Sequence, residues 1–289
     1  MEEKHHQEIG INKDIPECLK QNTEFLSLVL QKFIQNEMNK YGFNKAVIAL
    51  SGGLDSVLVS YITAKALKSD QILLLYMPYG KGLSNDEHVE MVSNDLGLKL
   101  EKWNIKNVAD SLCGERSIKD PLRKGNVFAR LRMVNLFDVS AREKALVIGT
   151  SNKTELLIGY STWYGDSAAG ILPIGDVYKT QAFALADYLG VPKEIINKAP
   201  SAELWESQTD EQEIGLAYNE LDKILYWHID KRYTREELIE KGFSQENVNL
   251  VLNLCRKSLY KQRLPIIPKV STRTIGLDYR LIKEASNAK

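Results

Sequence analysis

The stretch AVIALSGGLDSVLVSYI, residues 46–62, decides the fold. An apolar run from Ala46 to Leu50 stops at Ser51-Gly52-Gly53, and a second apolar run of helical character begins at Val57. A buried strand that feeds a helix through a glycine turn leaves backbone N–H groups pointing out of the helix start, where the helix dipole adds positive potential. Glycines let that backbone approach an anion closely. Ser51 and Ser56 add hydroxyl donors, so the turn is a candidate phosphate site. It lacks the lysine and the spacing of a GxxxxGK[ST] loop, and GKGLS at 80–84 reads as a plain loop. In place of a lysine the turn carries Asp55, whose carboxylate repels phosphate unless a cation lies between them. That predicts Mg²⁺ bridging Asp55 and phosphate oxygens. The bland alternative is a helix cap, with Ser51 and Asp55 satisfying the first turn's donors.

Working outward, the same alternation repeats. Residues 22–41 carry apolar positions at helical spacing, including Phe25, Leu26, Val29, Leu30, Phe33, Ile34 and Met38. ILLLY, Ile72–Tyr76, reads as a second strand, 86–97 as a helix ending in glycine, 98–105 as a third strand, 127–143 as a long helix and ALVIGTS as a fourth strand. Continuous apolar strands alternating with helices predict an α/β protein, a twisted parallel sheet covered on both faces. Residues 160–178, rich in Gly, Tyr, Trp and Asp, read as a functional loop, and helices follow at 210–229, 234–240 and 244–260. With no repeat or Pro/Ser-rich linker, 17–289 is expected to be one domain with a helical C-terminal part, preceded by a loose polar segment 1–16.

Composition narrows the function classes. The 38 basic and 38 acidic residues cancel, which gives no global pull toward nucleic acid or an anionic membrane and leaves only a local basic groove open. No apolar run approaches the roughly 18 residues of a membrane span. Cys18, Cys113 and Cys255 lie far apart with no CxxC pair, against a zinc site or disulfide framework and for a reducing compartment. With no signal-peptide core at the N-terminus, the expected location is the cytoplasm.

Four further blocks bear on chemistry. GNVFARLRM, 125–133, offers a Gly125-Asn126 turn and cap, a helix with Val127, Leu131 and Val134 as its buried stripe, and Arg130 and Arg132 on different sides. On composition alone the two arginines read first as a solvated face. GTSNKTELLIGYSTWYGD, 149–166, places Gly149-Thr150 at the end of the fourth strand, where open α/β sheets bind ligands. Glu155 is a candidate second metal ligand or an ordinary first-turn glutamate. Lys179, in ILPIGDVYKTQ at 171–181, is a candidate charge for an oxyanion or pyrophosphate, or an exposed helix-start lysine. In PSAELWESQTDEQEIG, 200–215, Asp210-Glu211 reads as ordinary N-terminal charge bias with no chemistry.

SGGLDS resembles the SGGxDS pyrophosphate loop of the ATP pyrophosphatases, which adenylate their substrates. The later blocks in order resemble the ammonia-dependent NAD synthetases over about residues 20–265: GNxxARxRM, GTxNxxE, YGD, LPIG followed by K-[TR]-Q, and PSA-[DE]-LW followed by QTDE. That resemblance implies ATP-dependent amidation of deamido-NAD by ammonia, giving NAD, AMP and pyrophosphate, in a homodimer with the dinucleotide site near the subunit interface. It implies that Ser51, Gly52, Gly53, Leu54, Asp55 and Ser56 bind the ATP phosphates, that Asp55 and Glu155 hold Mg²⁺, and that Thr150, Lys179 and Ser201 contact ATP. Arg130, Trp163, Asp166 and Lys261 fall on the deamido-NAD side. Asp166 and Lys179 are the candidate catalytic residues, Asp166 orienting ammonia or accepting its proton and Lys179 steadying developing charge.

Three departures fall on the acid side. Trp163 stands where the family's commonest form, TKYGD, has lysine. Gly170 stands where a second aspartate is expected, and the HKR signature appears as Tyr260-Lys261-Gln262. A glutaminase domain would need on the order of 200 further residues, so the expected donor is free ammonia or ammonia passed from a partner protein. The readings kept beside this one are a nucleotide-binding regulatory homologue without turnover and another amidating ligase of the ATP pyrophosphatase type.

Overall fold

The computed structural model describes residues 15–80, 86–200, 209–263 and 265–278. The segment 1–14, most of GKGLS and Ser201 lie outside the described residues. Four parallel strands, β1 (Lys45–Ala49), β2 (Ile72–Tyr76), β3 (Lys99–Lys102) and β4 (Ala145–Ile148), form a sheet in the order β3-β2-β1-β4. The chain runs outward from β1 through β2 to β3, then returns to place β4 on the other side of β1. That reversal puts a crevice beyond the carboxyl ends of β1 and β4, the place where such sheets bind ligands.

Both faces of the sheet are covered. On one, α1 (Thr23–Tyr41), α2 (Leu54–Ala66), α3 (Asp86–Leu96) and α7 (Lys179–Leu189) pack over Ile48, Leu74 and Ile148. On the other, α4 (Lys106–Glu115) and α5 (Pro121–Glu143) pack over Val47, Leu73, Leu75 and Val147. Alternate residues of each strand feed opposite faces, which is why the strands are apolar throughout. A third apolar cluster joins the C-terminal helices α9 (Asp210–Ile214), α10 (Tyr218–Leu225), α11 (Arg235–Glu240) and α12 (Gln245–Ser258) to the short helix α6 (Lys153–Ile158). Between α7 and α9 lies the short α8 (Lys193–Asn197). No helix among the described residues is long and apolar enough to cross a membrane.

The structure shifts several boundaries for identifiable reasons. α2 starts at Leu54 rather than Val57, because Gly53 is its N-cap and Asp55 and Ser56 fall inside the first turn. α5 starts at Pro121, with Asp120 capping Arg123 N at 2.7 Å, so Gly125-Asn126 lies within the helix and is neither turn nor cap. Asp-Pro is the start signal there. The buried stripe of α5 is Phe128, Ala129, Leu136 and Val139, whereas Val134 is 57% exposed. β3 ends at Lys102 rather than at 105, and the residues after it form α4, a helix not expected from the sequence. The helix expected over 210–229 is broken at Gly215 into α9 and α10, followed by a π turn at Tyr226–Asp230.

The sheet's two outer strands are not left bare. β3 presents Lys99, Glu101 and Lys102, which pair with one another, with Glu90 and with Arg142. Beside β4, Ile171 forms a parallel bridge with Ile148.

Candidate active site

A cavity of about 530 Å³ opens at the carboxyl ends of β1 and β4. Its floor is the Ser51–Ser56 turn, and the turn's geometry explains its composition. Gly52 sits at φ 84°, a left-handed conformation that side-chain-bearing residues rarely adopt. Ser56 is buried and donates to Gly53 O at 2.9 Å, while Ser51 N donates to Ser56 Oγ at 3.1 Å and Gly53 N to Ser51 Oγ at 3.2 Å. Ser56 therefore staples the turn from behind and Ser51 faces the cavity. The N-cap of α2, Gly53, has no side chain to cap its first turn, and the turn lines the cavity, so the helix start directs its positive end there. Asp55 is not a cap, since its carboxylate turns to Asn152 and Lys179, whereas Ser51 Oγ does take up one donor at the helix start, Gly53 N.

Asp55 reaches across from that first turn. Its Oδ1 accepts from Asn152 Nδ2 at 3.2 Å and its Oδ2 from the ammonium of Lys179. Lys179 is 2% exposed, not a surface lysine, and its Nζ also lies 3.4 Å from Glu155 Oε1 and 5.3 Å from the centroid of the Tyr218 ring. Burial alone would lower its pKa. The carboxylates of Asp55, Glu155 and Asp210 outweigh that and hold it above its ordinary value. Burial and then the Asp55 charge push Glu155 upward, with Lys179 opposing. Glu155 is fixed by a capping box at the start of α6: Asn152 N donates to Glu155 Oε2 at 3.3 Å and Glu155 N to Asn152 Oδ1 at 3.0 Å.

Asp210, given no chemistry from sequence, is 4% exposed and lines the same cavity. It accepts from Tyr160 and Tyr218 hydroxyls at 3.0 and 3.1 Å, and burial raises its pKa. The described residues contain no cluster of three or more acidic, His or Cys side chains arranged to hold a metal unaided. Asp55 and Glu155 share one cation, Lys179, and present hard oxygens to one space. That donor set suits Mg²⁺, which typically takes one or two carboxylates and completes its shell with substrate phosphate and water.

Behind this cluster Asp222 locks the helices in place. It is wholly buried, accepting from Thr154 Oγ1 at 2.6 Å and from Thr180 N and Oγ1 at 2.8 Å each, and so ties α6 to the start of α7 that carries Lys179. Burial pushes its pKa up to about 6 against the hydrogen bonds that lower it. A carboxyl raised in the folded state favours the native protein most at low pH. Its contribution falls as pH rises from its unfolded value to about 6 and is flat above. Asp222→Asn removes that dependence. The stability advantage of the native residue over this variant is expected to narrow by about 2 kcal/mol between pH 4.5 and 7.5, read from urea unfolding at both. A constant difference would contradict it.

The same cavity carries acid-side candidates: Asp166 and Lys261 line it, as does Thr150, the ATP-side candidate. Asp166 projects into it while enclosed by protein around its base. Burial raises its pKa, and its Oδ1 accepts from Thr162 N at 2.7 Å. Arg132, not Arg130, lines the cavity, donating to Met77 O at 3.0 Å. Arg130 is exposed and donates to the Trp163 carbonyl at 3.2 Å. Trp163 is not part of the cavity lining. It stacks on Tyr164 at 4.6 Å and meets Tyr260 edge-on at 5.2 Å, so two of the three sequence departures touch each other. At the third, a Cβ on Gly170 would lie 2.5 Å from Leu146 Cδ1 and 3.1 Å from Val147 O. No side chain fits there without displacement.

Known proteins resemble this chain in sequence and in fold. The family model for NAD synthase matches residues 27–265. An NH(3)-dependent NAD(+) synthetase of Chlorobium phaeobacteroides is 43% identical over 263 residues, covering 90% of this chain and 95% of that one. The structure of an NH3-dependent NAD synthetase from Campylobacter jejuni, in complex with nitrate, is similar with a TM-score of 0.75 at 30% identity, covering 86% of this chain and all of that one. The structure of an NMN synthetase from Francisella tularensis is similar to the same degree on each of these measures. A parallel sheet with its crevice at the β1/β4 reversal, the SGGLDS turn there and a family match across most of the chain lead to one assignment: the chain belongs to the NAD synthase family.

Proposed function

We propose that the chain amidates deamido-NAD with ammonia at the expense of ATP, through an adenylated intermediate, releasing NAD, AMP and pyrophosphate. The observation that carries the reading is one cavity joining the start of α2 and the Asp55–Lys179–Glu155 cluster to the wall of Asp166 and Lys261. The relatives' names support ammonia as the donor.

In this mechanism the Ser51–Ser56 turn, Thr150, Lys179 and Ser201 hold ATP, with Ser201 outside the described residues. Asp55 and Glu155 would hold Mg²⁺, which supplies charge neutralisation at the phosphates. The nicotinate carboxylate attacks the α-phosphorus, a new P–O bond forms, and the bond to the β-phosphate breaks. The helix start and Lys179 stabilise the departing pyrophosphate. Ammonia then adds to the acyl carbon and AMP leaves. Asp166, its pKa raised by burial, takes the proton that ammonia gives up. Lys261 completes the acid side within the cavity, while Arg130 and Trp163, outside its lining, brace the loop behind it through the Arg130–Trp163 carbonyl hydrogen bond. Placement and fixed charge carry most of the rate.

The test is a mixture of protein, ATP, Mg²⁺ and ammonium with either deamido-NAD or the mononucleotide acid that corresponds to NMN. Equimolar NAD, AMP and pyrophosphate support the proposal. ADP formation refutes it, preference for the mononucleotide moves the substrate, and no turnover favours the regulatory homologue.

The assembly belongs to the same proposal. Leu122, Val134 and Phe137 are exposed on α5, with Val108 and Leu112 beside them on α4. The same helix supplies Asn126, Ala129 and Arg132 to the cavity, so a homodimer through this face sets two sites beside the interface. Val134→Glu is expected to convert a dimer into monomers in sedimentation, and an unchanged dimer would exclude this face. The unpaired cysteines support a reducing compartment, the cytoplasm.

A further inference from the structure

The last turn of α6 and the loop that follows it form a wall of the cavity through Gly159, Tyr160, Ser161 and Thr162. A helix end leaves its final carbonyls without intrahelical partners. Here Glu155 O accepts from Gly159 N and Tyr160 N. The next carbonyls are served from 100 residues further along the chain. Gln262 Nε2 donates to Leu156 O at 3.0 Å and to Leu157 O at 3.3 Å, and the Ser258 hydroxyl lies 2.9 Å from Leu157 O. Lys261 Nζ donates to Gly159 O and Ser161 O at 2.7 and 2.6 Å. Contact is close enough that a Cβ on Gly159 would lie 2.2 Å from Ser258 Cβ. The T-shaped Trp163–Tyr260 contact extends the same seam.

We propose that Ser258 and Gln262 are positioning residues for the acid substrate: by capping α6 from a distant segment they set where the 159–166 wall, with Asp166 on it, meets that substrate. The two ends of α6 are anchored separately. Asn152, Thr154 and Glu155 tie the first turn to Asp55, Asp222 and Lys179, so loosening the far end moves the acid-side wall and leaves the phosphate side in place. The identity of the acid rests on the proposed function; the capping contacts do not.

Ser258→Ala combined with Gln262→Ala tests this. Gln262 is exposed, so the fold survives its loss. The KM for deamido-NAD is expected to rise about fivefold or more, as loss of one or two hydrogen bonds implies, with kcat falling as well because Asp166 moves with the wall and the KM for ATP within about twofold. Amide exchange at Tyr160–Thr162 is expected to quicken about tenfold, and Gln262→Arg, which keeps a donor, should retain the native KM. An unchanged KM for the acid, an equal rise for ATP, or unchanged exchange would overturn the proposal. Exchange is read without turnover, so failure of the amidation reading itself shows separately, as absence of NAD from the wild-type protein.

Discussion

Lys179→Met is expected to abolish NAD formation and to destabilise the protein by about 3–5 kcal/mol, the usual cost of stripping one partner from a buried ion pair. The ammonium is nearly inaccessible and is shared by Asp55 and Glu155, with Asp210 close by. Methionine matches its length but leaves carboxylates crowded in one cavity with no cation. Urea unfolding reads the loss. Millimolar Mg²⁺ is expected to restore part of it in the variant, since a cation that binds only the folded protein stabilises it. A variant as stable as the native protein, or indifferent to Mg²⁺, would show that the cluster does not depend on a positive charge there.

Asp55→Ala is also expected to cripple turnover, but with only a small effect on stability. Lys179 keeps Glu155 as a partner, and the Asp55 side chain is partly open to the cavity, so the fold is retained. The variant loses a proposed metal ligand and the carboxylate that aims Lys179 at the same time. A single group that stabilises developing charge is worth about 10²–10³ in kcat, and a loss of at least that size is expected. Asp55→Asn keeps an oxygen for Lys179 or Asn152 but not the charge, and should be nearly as inactive. Full activity of either variant in the coupled AMP and NAD assay would remove Asp55 from the phosphate side of the mechanism.

Much of this was legible in the sequence where the physics is local. Ile72–Tyr76 and Ala46–Ala49 are short apolar runs with sharp ends, and both are strands. The Ser51–Ser56 turn announced itself through glycines between a strand and a helix. What the sequence hid depends on distant partners. Lys179 looks like a surface lysine until α7 docks on α2 and brings Asp55, 124 residues away, against it. Asp210 reads as a helix-start charge, and only Tyr160 and Tyr218 show it buried. Arg132 and Arg130 could be separated by helix geometry, but not ranked. α5 had a local signal, Asp120-Pro121, that the Gly125-Asn126 pair obscured. Ser258 had none, and Gln262 showed only as a departure from the HKR signature, because the carbonyls they cap belong to another helix.

The charged outer strand bears on how copies of this chain meet. Docking a foreign strand along β3 would mean breaking the Lys102–Glu90 and Arg142–Glu101 pairs and dehydrating their charges, while Ile171 already occupies hydrogen-bonding positions beside β4. Edge-to-edge growth toward cross-β aggregates is thus disfavoured on both flanks. Association is left to helical surfaces, where contact geometry is finite and self-limiting rather than open-ended.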